Sequence, residues 1–507
     1  MAKSNSALLR DEYGDWQTNY PLALSVCQML KNKGINPQVI IEPTCGKGNF
    51  ILAALETFNT LEHVIGIEIN AEYLSELKQK LDGRTPSSIQ LHLMNKNFFD
   101  VNFKDIKSLI KGKNILVLGN PPWVTNSKLG ELNSENLPAK SNFKNNKGLD
   151  AITGKGNFDI AEYITYKMQD VVKDENAHIA LLLKCSVIKN IIFEQGKART
   201  LAHCEQHNID TTREFSASVA SALFTGQLGE GEACCNVYDF YSGKKERTFG
   251  WVNQNFVSNC EEYKGADFVD GKSNLTWWSG LKHDCSNVLE LTKTDGIYYN
   301  KMHEIVDIEE DMIYPFLKSS DLKGDKISQC RKYVILTQHR TSEDTSKIED
   351  TYPKTYKYLN EHSSYFDNRK SSIYKNRPKF CIFGVGDYTF KKYRVAISGL
   401  YKQTRFSMVS EIDGKLALLD DTTYLLGFDK KEYADYTLKL LNSSAVQHFL
   451  ESVYFEDAKR PINKDLLMRI DLVAVLNKLG GSFLGIDEET LRDYKMHLHP
   501  YSQGSLF

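Results

Sequence analysis

The sequence predicts an α/β chain: a doubly wound domain on a parallel sheet, followed by a second, mixed α+β domain. Three observations carry that prediction. Short apolar runs alternate with helical periodicity from Val39 to Leu118, and each run ends in small, polar or aromatic residues. The 507 residues exceed what one ordinary core organises. Composition shifts near Ser242-Gly243-Lys244-Lys245, which places the domains at 1–243 and 244–507.

The first helix runs from Leu22 to Leu30 after the polar turn Asp15–Pro21. Pro21 stands where a first helical turn tolerates it, and Gly34 lies just past the end. Val39–Glu42 is the first strand. The small-residue turn Pro43-Thr44-Cys45-Gly46-Lys47-Gly48 leads from it into a helix at Ile51. This turn lacks the full GxGxxG of a dinucleotide site, yet Gly46 and Gly48 let backbone approach a ligand at the helix N-terminus. A second strand, Val64–Asn70, carries Glu68 near its C-terminal end. An acid there, roughly twenty residues beyond the glycines, can accept from two ribose hydroxyls. Glu68 could instead cap the next helix, but Asn70 already serves as cap for Ala71–Leu81. A third strand, Ile89–Met94, runs into Asn95-Lys96-Asn97-Phe98-Phe99-Asp100.

The fourth strand, Ile115–Leu118, stops at Gly119 and opens into Asn120-Pro121-Pro122-Trp123. Two prolines lock φ and remove two donors, so the turn is stiff and its carbonyls are free to accept. Asn120 adds an amide and Trp123 a flat π-face, a set that suits a planar heterocycle with an exocyclic amino group. On these residues alone, a tight turn with Trp123 in the core fits equally well.

From Val124 to Gly156 the chain is rich in Asn, Lys, Ser and Gly, with Lys128, Lys140, Lys144, Lys147 and Lys155. A long aperiodic loop beside a chemical site reads as a mobile, nucleic-acid-facing element or a solvated insertion. Asn157-Phe158-Asp159-Ile160 then starts a helix to about Val172, and His178–Lys184 is the next strand. A stretch from Glu214 reaches Leu223-Phe224-Thr225-Gly226, and Ala233–Tyr241 is a strand. Beyond the boundary, β-like runs (Tyr333–Thr337, Phe380–Gly384, Phe406–Val409, Leu416–Leu419) mix with helices such as Tyr433–Asn442.

Hydrophobic residues make up 41% and charged residues 25%, a folded rather than a disordered composition. No signal peptide and no run of about eighteen apolar residues is present, so the expectation is a soluble, cytoplasmic protein without membrane contact. The ten cysteines form no CxxC pair, and His283, His303, His339 and His362 have no partner at metal spacing, so no metal is expected. Net charge is −2, but Thr351–Phe406 holds twelve Lys/Arg against three acids, with thirteen interleaved Tyr or Phe. Basic residues neutralise phosphates and aromatics pack on sugars or bases, so Arg369, Lys370, Lys391 and Lys392 become candidate nucleic-acid contacts. A solvated β-rich surface with ordinary tyrosines is the alternative.

Taken in order, these motifs resemble the gamma-class N6-adenine DNA methyltransferases of restriction–modification systems. The likeness covers Asp15 to about Phe240: a helix motif, Glu42-Pro43-Thr44-Cys45-Gly46-Lys47-Gly48, the acid Glu68, the third-strand end and Asn120-Pro121-Pro122-Trp123. It implies S-adenosyl-L-methionine as cofactor. Thr18, Glu42, Pro43 and Gly46 would hold its methionine end, Glu68 its ribose, and Asn97 and Phe98 its adenine. Phe158 falls in the motif that lines the same pocket. Asn97 departs from the family, which usually has Asp there.

The resemblance further implies a target adenine flipped out of duplex DNA. Asn120 and the Pro121 carbonyl would accept its amino hydrogens, Pro122 would stiffen the turn, and Trp123 would stack on one face. Phe224 best matches the aromatic on the other face; a core role is its alternative. Tyr314–Leu322 and Lys459–Lys464 loosely resemble the opening and closing of target-recognition domains. Lys128 and Lys144 would join the four basic residues above in contacting DNA. Little chain precedes the first motif and no acid–acid–lysine cluster stands out, so a separate cognate endonuclease and a monomeric methyltransferase are expected. Protein-glutamine or RNA methylation, or a specificity protein with a vestigial cofactor fold, are the competing readings.

Overall fold

The computed structural model describes residues 14, 16–125, 159–341, 343–400, 404–455 and 460–498. It divides into two compact units, Met1–Cys260 and Glu261–Phe507.

The first unit is built on one ten-stranded sheet. Strands β1 (Val39–Glu42), β2 (His63–Glu68), β3 (Gln90–Asn95), β4 (Asn114–Gly119) and β5 (Asn176–Lys184) are parallel, in the order β3-β2-β1-β4-β5. Then come β6 (Leu201–Ile209), β7 (Ser221–Leu228), β8 (Cys234–Asp239), β9 (Lys245–Val252) and β10 (Asn255–Val257). β7 lies between β5 and β6 and is antiparallel to both. β9 and β10 extend the same sheet past β8. The first unit therefore ends later than the 243/244 boundary expected from composition: Lys245 opens another strand of the sheet, and no linker separates it from β8.

All four residues of β1 are buried, as an apolar run in the middle of a parallel sheet must be. Helices α1 (Tyr20–Asn32) and α2 (Asn49–Thr57) share a core with the sheet, in which Leu22, Val26 and Leu30 meet Phe50, Ala53 and Ala54. Asn19 caps α1 through Leu22 N (2.8 Å). Asn70 caps α3 (Ala71–Leu81) through the amides of Glu72 and Tyr73, as its sequence position predicts. Two further helices, α4 (Phe103–Ile110) and α5 (Ile160–Val172), complete the elements near the site. Because β1 sits between β2 and β4, the chain switches direction there, and a crevice opens at the carboxyl ends of those strands.

The second unit is mixed α+β, as expected. One sheet orders Trp278–Ser279, Thr423–Phe428, Tyr393–Ser398, Ser407–Val409 and Lys326–Ile327. Another orders Ile297–Tyr299, Glu290–Thr294, Lys332–Ile335, Ile313–Leu317 and Leu418–Leu419. Helices include Lys431–Leu441, Ser444–Val453, Leu472–Leu479 and Glu488–Leu498. Phe380–Gly384 is not a strand; within it Phe383 makes an isolated bridge to Lys282. The preceding segment is helical at Pro353–Glu361 and Ser363–Asp367, so much of the basic stretch is not a β surface. Pro353 explains part of this, since a proline pre-sets the first turn of a helix. Among the described residues no helix is long and apolar enough to cross a membrane.

Candidate active site

A cavity of about 260 Å³ occupies the crevice at the carboxyl ends of β1, β2 and β4. Thr18, Glu42, Pro43, Gly46, Glu68, Asn97, Phe98, Asn120 and Pro122 all line it, so residues more than a hundred positions apart converge as the motif order predicts. Each is placed by a local cause. Gly46 has φ +51, and a Cβ there would stand 2.7 Å from the Gln17 amide. Gly119 has φ +152 and lets the Glu42 side chain pass, since a Cβ would meet Glu42 Cγ at 3.1 Å.

Glu68 is held by two backbone amides, Gly46 N on Oε2 (2.7 Å) and Asn70 N on Oε1 (2.8 Å). It fixes the turn after β1. Asn97 Oδ1 accepts from Phe99 N (3.1 Å), starting the short turn that carries Phe98 to the cavity wall. Glu42 is different. It is 3% exposed, and burial, then the Glu68 carboxylate, pushes its carboxyl well above the ordinary range, against a lowering bond from the Ile51 backbone.

Asn120 donates Nδ2 to the Trp16 carbonyl (2.6 Å) and to Thr18 Oγ1 (3.2 Å). Three buried polar atoms among the lining residues, Glu42 Oε2, Thr44 Oγ1 and Asn120 Oδ1, have no partner among the described residues. Buried polar atoms are rarely left so, and three around one cavity mark a place for a polar ligand.

The cavity also recruits residues to which sequence reasoning gave no role: Trp16, Thr44, Asn49, Tyr73 and Ile164. Asn49 was findable as the polar residue directly after Gly48; its Nδ2 bonds the Thr18 carbonyl (2.7 Å). Tyr73 sits in the first turn after the Asn70 cap, beneath the Lys47 ammonium (5.4 Å to the ring centroid).

Two expected aromatic plates are not on this wall. Trp123 is 6% exposed, gives its indole N–H to the Leu182 carbonyl (3.2 Å), and packs against Trp16 and Phe215 at 6.2 and 5.1 Å. It takes the core option that the turn itself left open. Phe224 is wholly buried in β7, paired with Leu181 and Gln206, and is a core residue. Pro121 is buried and also absent from the lining. Phe158, Lys128 and Lys144 lie outside the described residues; Asp159, beside Phe158, pairs with Lys184 (2.5 Å) and caps α5.

The second unit's candidates separate into two kinds. Arg369 stacks on Tyr374 (3.7 Å) and donates to the carbonyls of Cys381 (2.6 Å) and Lys379 (3.1 Å), which makes it a structural clamp. Lys391 pairs with Asp429 (2.5 Å). Lys370 and Lys392 are exposed and form no ion pair among the described residues. Arg394, also counted in the basic stretch, is 1% exposed and bonded to three carbonyls.

No protein-family model matches the chain. The type II methyltransferase M.NspV of Nostoc sp. (strain ATCC 29411 / PCC 7524) is 40% identical over 465 residues, 91% of this chain and 96% of that protein. The chain belongs to the type II methyltransferase family. Among solved structures, the type IIL restriction–modification enzyme MmeI in complex with DNA has the same fold over 98% of this chain and 73% of its own, with TM-score 0.55 and 13% identity. By that membership it is a methyltransferase, and its motif order is the one that implies S-adenosyl-L-methionine as cofactor. The cavity fits that cofactor: it offers the Glu68 carboxylate and the Glu42 carboxyl to polar groups, backbone at Gly46, and the aromatic Phe98 for a planar ring.

Proposed function

We propose that the protein methylates the 6-amino group of adenine in duplex DNA, at a site read by its second unit, after the base is flipped into the cavity beside Asn120. The observation that carries this reading is the Asn120 amide, whose nitrogen is doubly engaged and whose buried oxygen has no partner among the described residues. An acceptor of that kind complements an amino group, not a ring carbonyl.

When bound, the cofactor supplies a sulfonium-activated methyl group. Thr18, Glu42, Pro43 and Gly46 hold its methionine end, Glu68 its ribose, and Asn97 and Phe98 its adenine. Asn120 Oδ1 accepts from the amino group of the target, which keeps the nitrogen lone pair out of ring conjugation and aimed at the cofactor. Pro122 keeps the turn stiff, so this acceptor needs no reorganisation. No general base with a tuned pKa is required, because the amino nitrogen attacks neutral and sheds its proton afterwards.

The second unit is the target-recognition domain, with Lys370, Lys391 and Lys392 toward the phosphates, and Lys128 and Lys144 add further contacts to DNA. The enzyme acts as a monomer in the cytoplasm and shields host DNA from a separate cognate endonuclease. Incubating the protein with unmethylated duplex DNA and labelled cofactor, then digesting to nucleosides, tests the chemistry. N6-methyl-2′-deoxyadenosine is expected. Label in cytosine, in RNA or in protein alone would overturn it, and tight cofactor binding without transfer would mark a vestigial fold.

A further inference from the structure

An asparagine amide is nearly symmetric in shape, and the two orientations have opposite chemistry. Pointed one way it offers a substrate an acceptor; pointed the other way it offers two donors. The structure decides between them at Asn120. A backbone carbonyl can only accept, so the atom 2.6 Å from the Trp16 carbonyl must be the amide nitrogen. Thr18 Oγ1 takes the second N–H at 3.2 Å, and the oxygen is left buried without a partner among the described residues.

The segment providing these two acceptors is itself tied down. Thr18 is 6% exposed, and its carbonyl receives Asn49 Nδ2 (2.7 Å) from the first turn of α2. Next to it, Asn19 caps α1. The chain before α1 is thus fastened at the glycine turn on one side and at its own helix on the other.

We propose that Thr18 is a positioning residue for Asn120: its hydroxyl oxygen, together with the Trp16 carbonyl, holds the amide with oxygen inward, and so selects an amino group over a ring carbonyl. This rests on the reading that Asn120 accepts from the reacting amino group. A reversed amide would point N–H at N–H and leave the substrate unpaired.

Thr18→Val keeps the shape and removes the acceptor, Thr18→Ala removes it without the branched bulk, and Thr18→Ser retains it. Single-turnover methylation of duplex DNA at saturating S-adenosyl-L-methionine should fall roughly three- to tenfold in the valine and alanine variants, the reduction expected for one hydrogen bond. Thr18→Ser should recover most of the rate. Selective 15N-asparagine labelling gives a readout independent of activity. The Asn120 amide protons, identified by their disappearance in Asn120→Ala, should exchange slowly in the wild type and the serine variant and faster in the valine and alanine variants. Wild-type rate and protection in the valine and alanine variants would overturn the proposal. So would a valine variant whose cofactor affinity falls while its rate recovers fully at saturation, since Thr18 would then only bind cofactor. If the wild type methylates no adenine, the underlying reading fails, whereas the amide exchange still reports whether Thr18 orients Asn120.

Discussion

Glu42 and Glu68 end neighbouring parallel strands and line one cavity, yet only Glu68 has both oxygens bonded to backbone amides; Glu42 Oε2 has no partner among the described residues. The difference follows from the two turns. Past Glu68 the chain bends so that Asn70 N returns to the carboxylate, whereas past Glu42 it meets Pro43, which has no N–H to give.

Burial and the facing Glu68 charge raise the Glu42 pKa well above its ordinary 4.5. The native protein therefore keeps a proton that the unfolded chain gives up, and stability falls as pH rises from about 4.5 toward the raised value. Thermal melts of cofactor-free protein between about pH 5 and 8 should show this decline, and Glu42→Gln should flatten it. Identical pH profiles for the two proteins would show that Glu42 is already ionised in the native state.

Glu68→Ala should weaken cofactor binding by about 1.5–3 kcal/mol, the range for hydrogen bonds to a charged group. Saturating cofactor should restore much of the rate, because the role proposed for Glu68 is at the ribose and not at the reacting atoms. Part of the effect would come through the turn, since Gly46 N is also deprived of its acceptor. Calorimetry decides it, and an unchanged affinity would make Glu68 a brace for the turn and nothing more.

Asn120→Ala should leave cofactor affinity nearly intact and reduce the single-turnover rate by roughly 100–1,000-fold, about 2.7–4 kcal/mol of transition-state stabilisation. More than half the wild-type rate in this variant would remove Asn120 from the chemistry.

The convergence of Glu42, Gly46 and Glu68 on one cavity was legible because it is local. Strand, small turn and acid follow one another within thirty-odd positions, and the parallel sheet brings successive strand ends together. The base side was less legible, because which way a ring faces depends on packing between distant elements. Trp123 meets Trp16 and Phe215, and nothing in Asn120-Pro121-Pro122-Trp123 encodes that meeting. Phe224 lies in β7, a strand whose insertion between β5 and β6 has no short-range signature. The late end of the first unit has the same cause: β9 and β10 join the sheet through pairing that charge and composition do not report.

Phe224→Ala should therefore cost about 3–5 kcal/mol of stability, as a large-to-small change in a core does, with no change in affinity for DNA once the smaller folded fraction is corrected for. Urea unfolding beside DNA binding on the same samples separates the two effects. A stable variant with weakened DNA binding would return Phe224 to the base pocket.

The basic stretch of the second unit yields the last prediction, because local charge overstated what it offers to DNA. Arg369 is committed to Tyr374 and to main-chain carbonyls, and Arg394 is buried. Lys370 and Lys392 remain exposed and outside any ion pair among the described residues, and Lys391 is tied only to the exposed Asp429. An exposed ion pair of that kind is worth little and exchanges readily for a phosphate. Replacing Lys370, Lys391 or Lys392 by Gln should flatten the dependence of DNA affinity on salt by about 0.9 in log–log slope for each phosphate no longer neutralised. Arg369→Gln should leave the slope alone and lower the melting temperature, since it removes a clamp within the unit and no phosphate partner. Fluorescence anisotropy between about 50 and 200 mM salt resolves changes of this size. A slope that responds to Arg369 but to none of the three lysines would place the DNA on a different face of this unit.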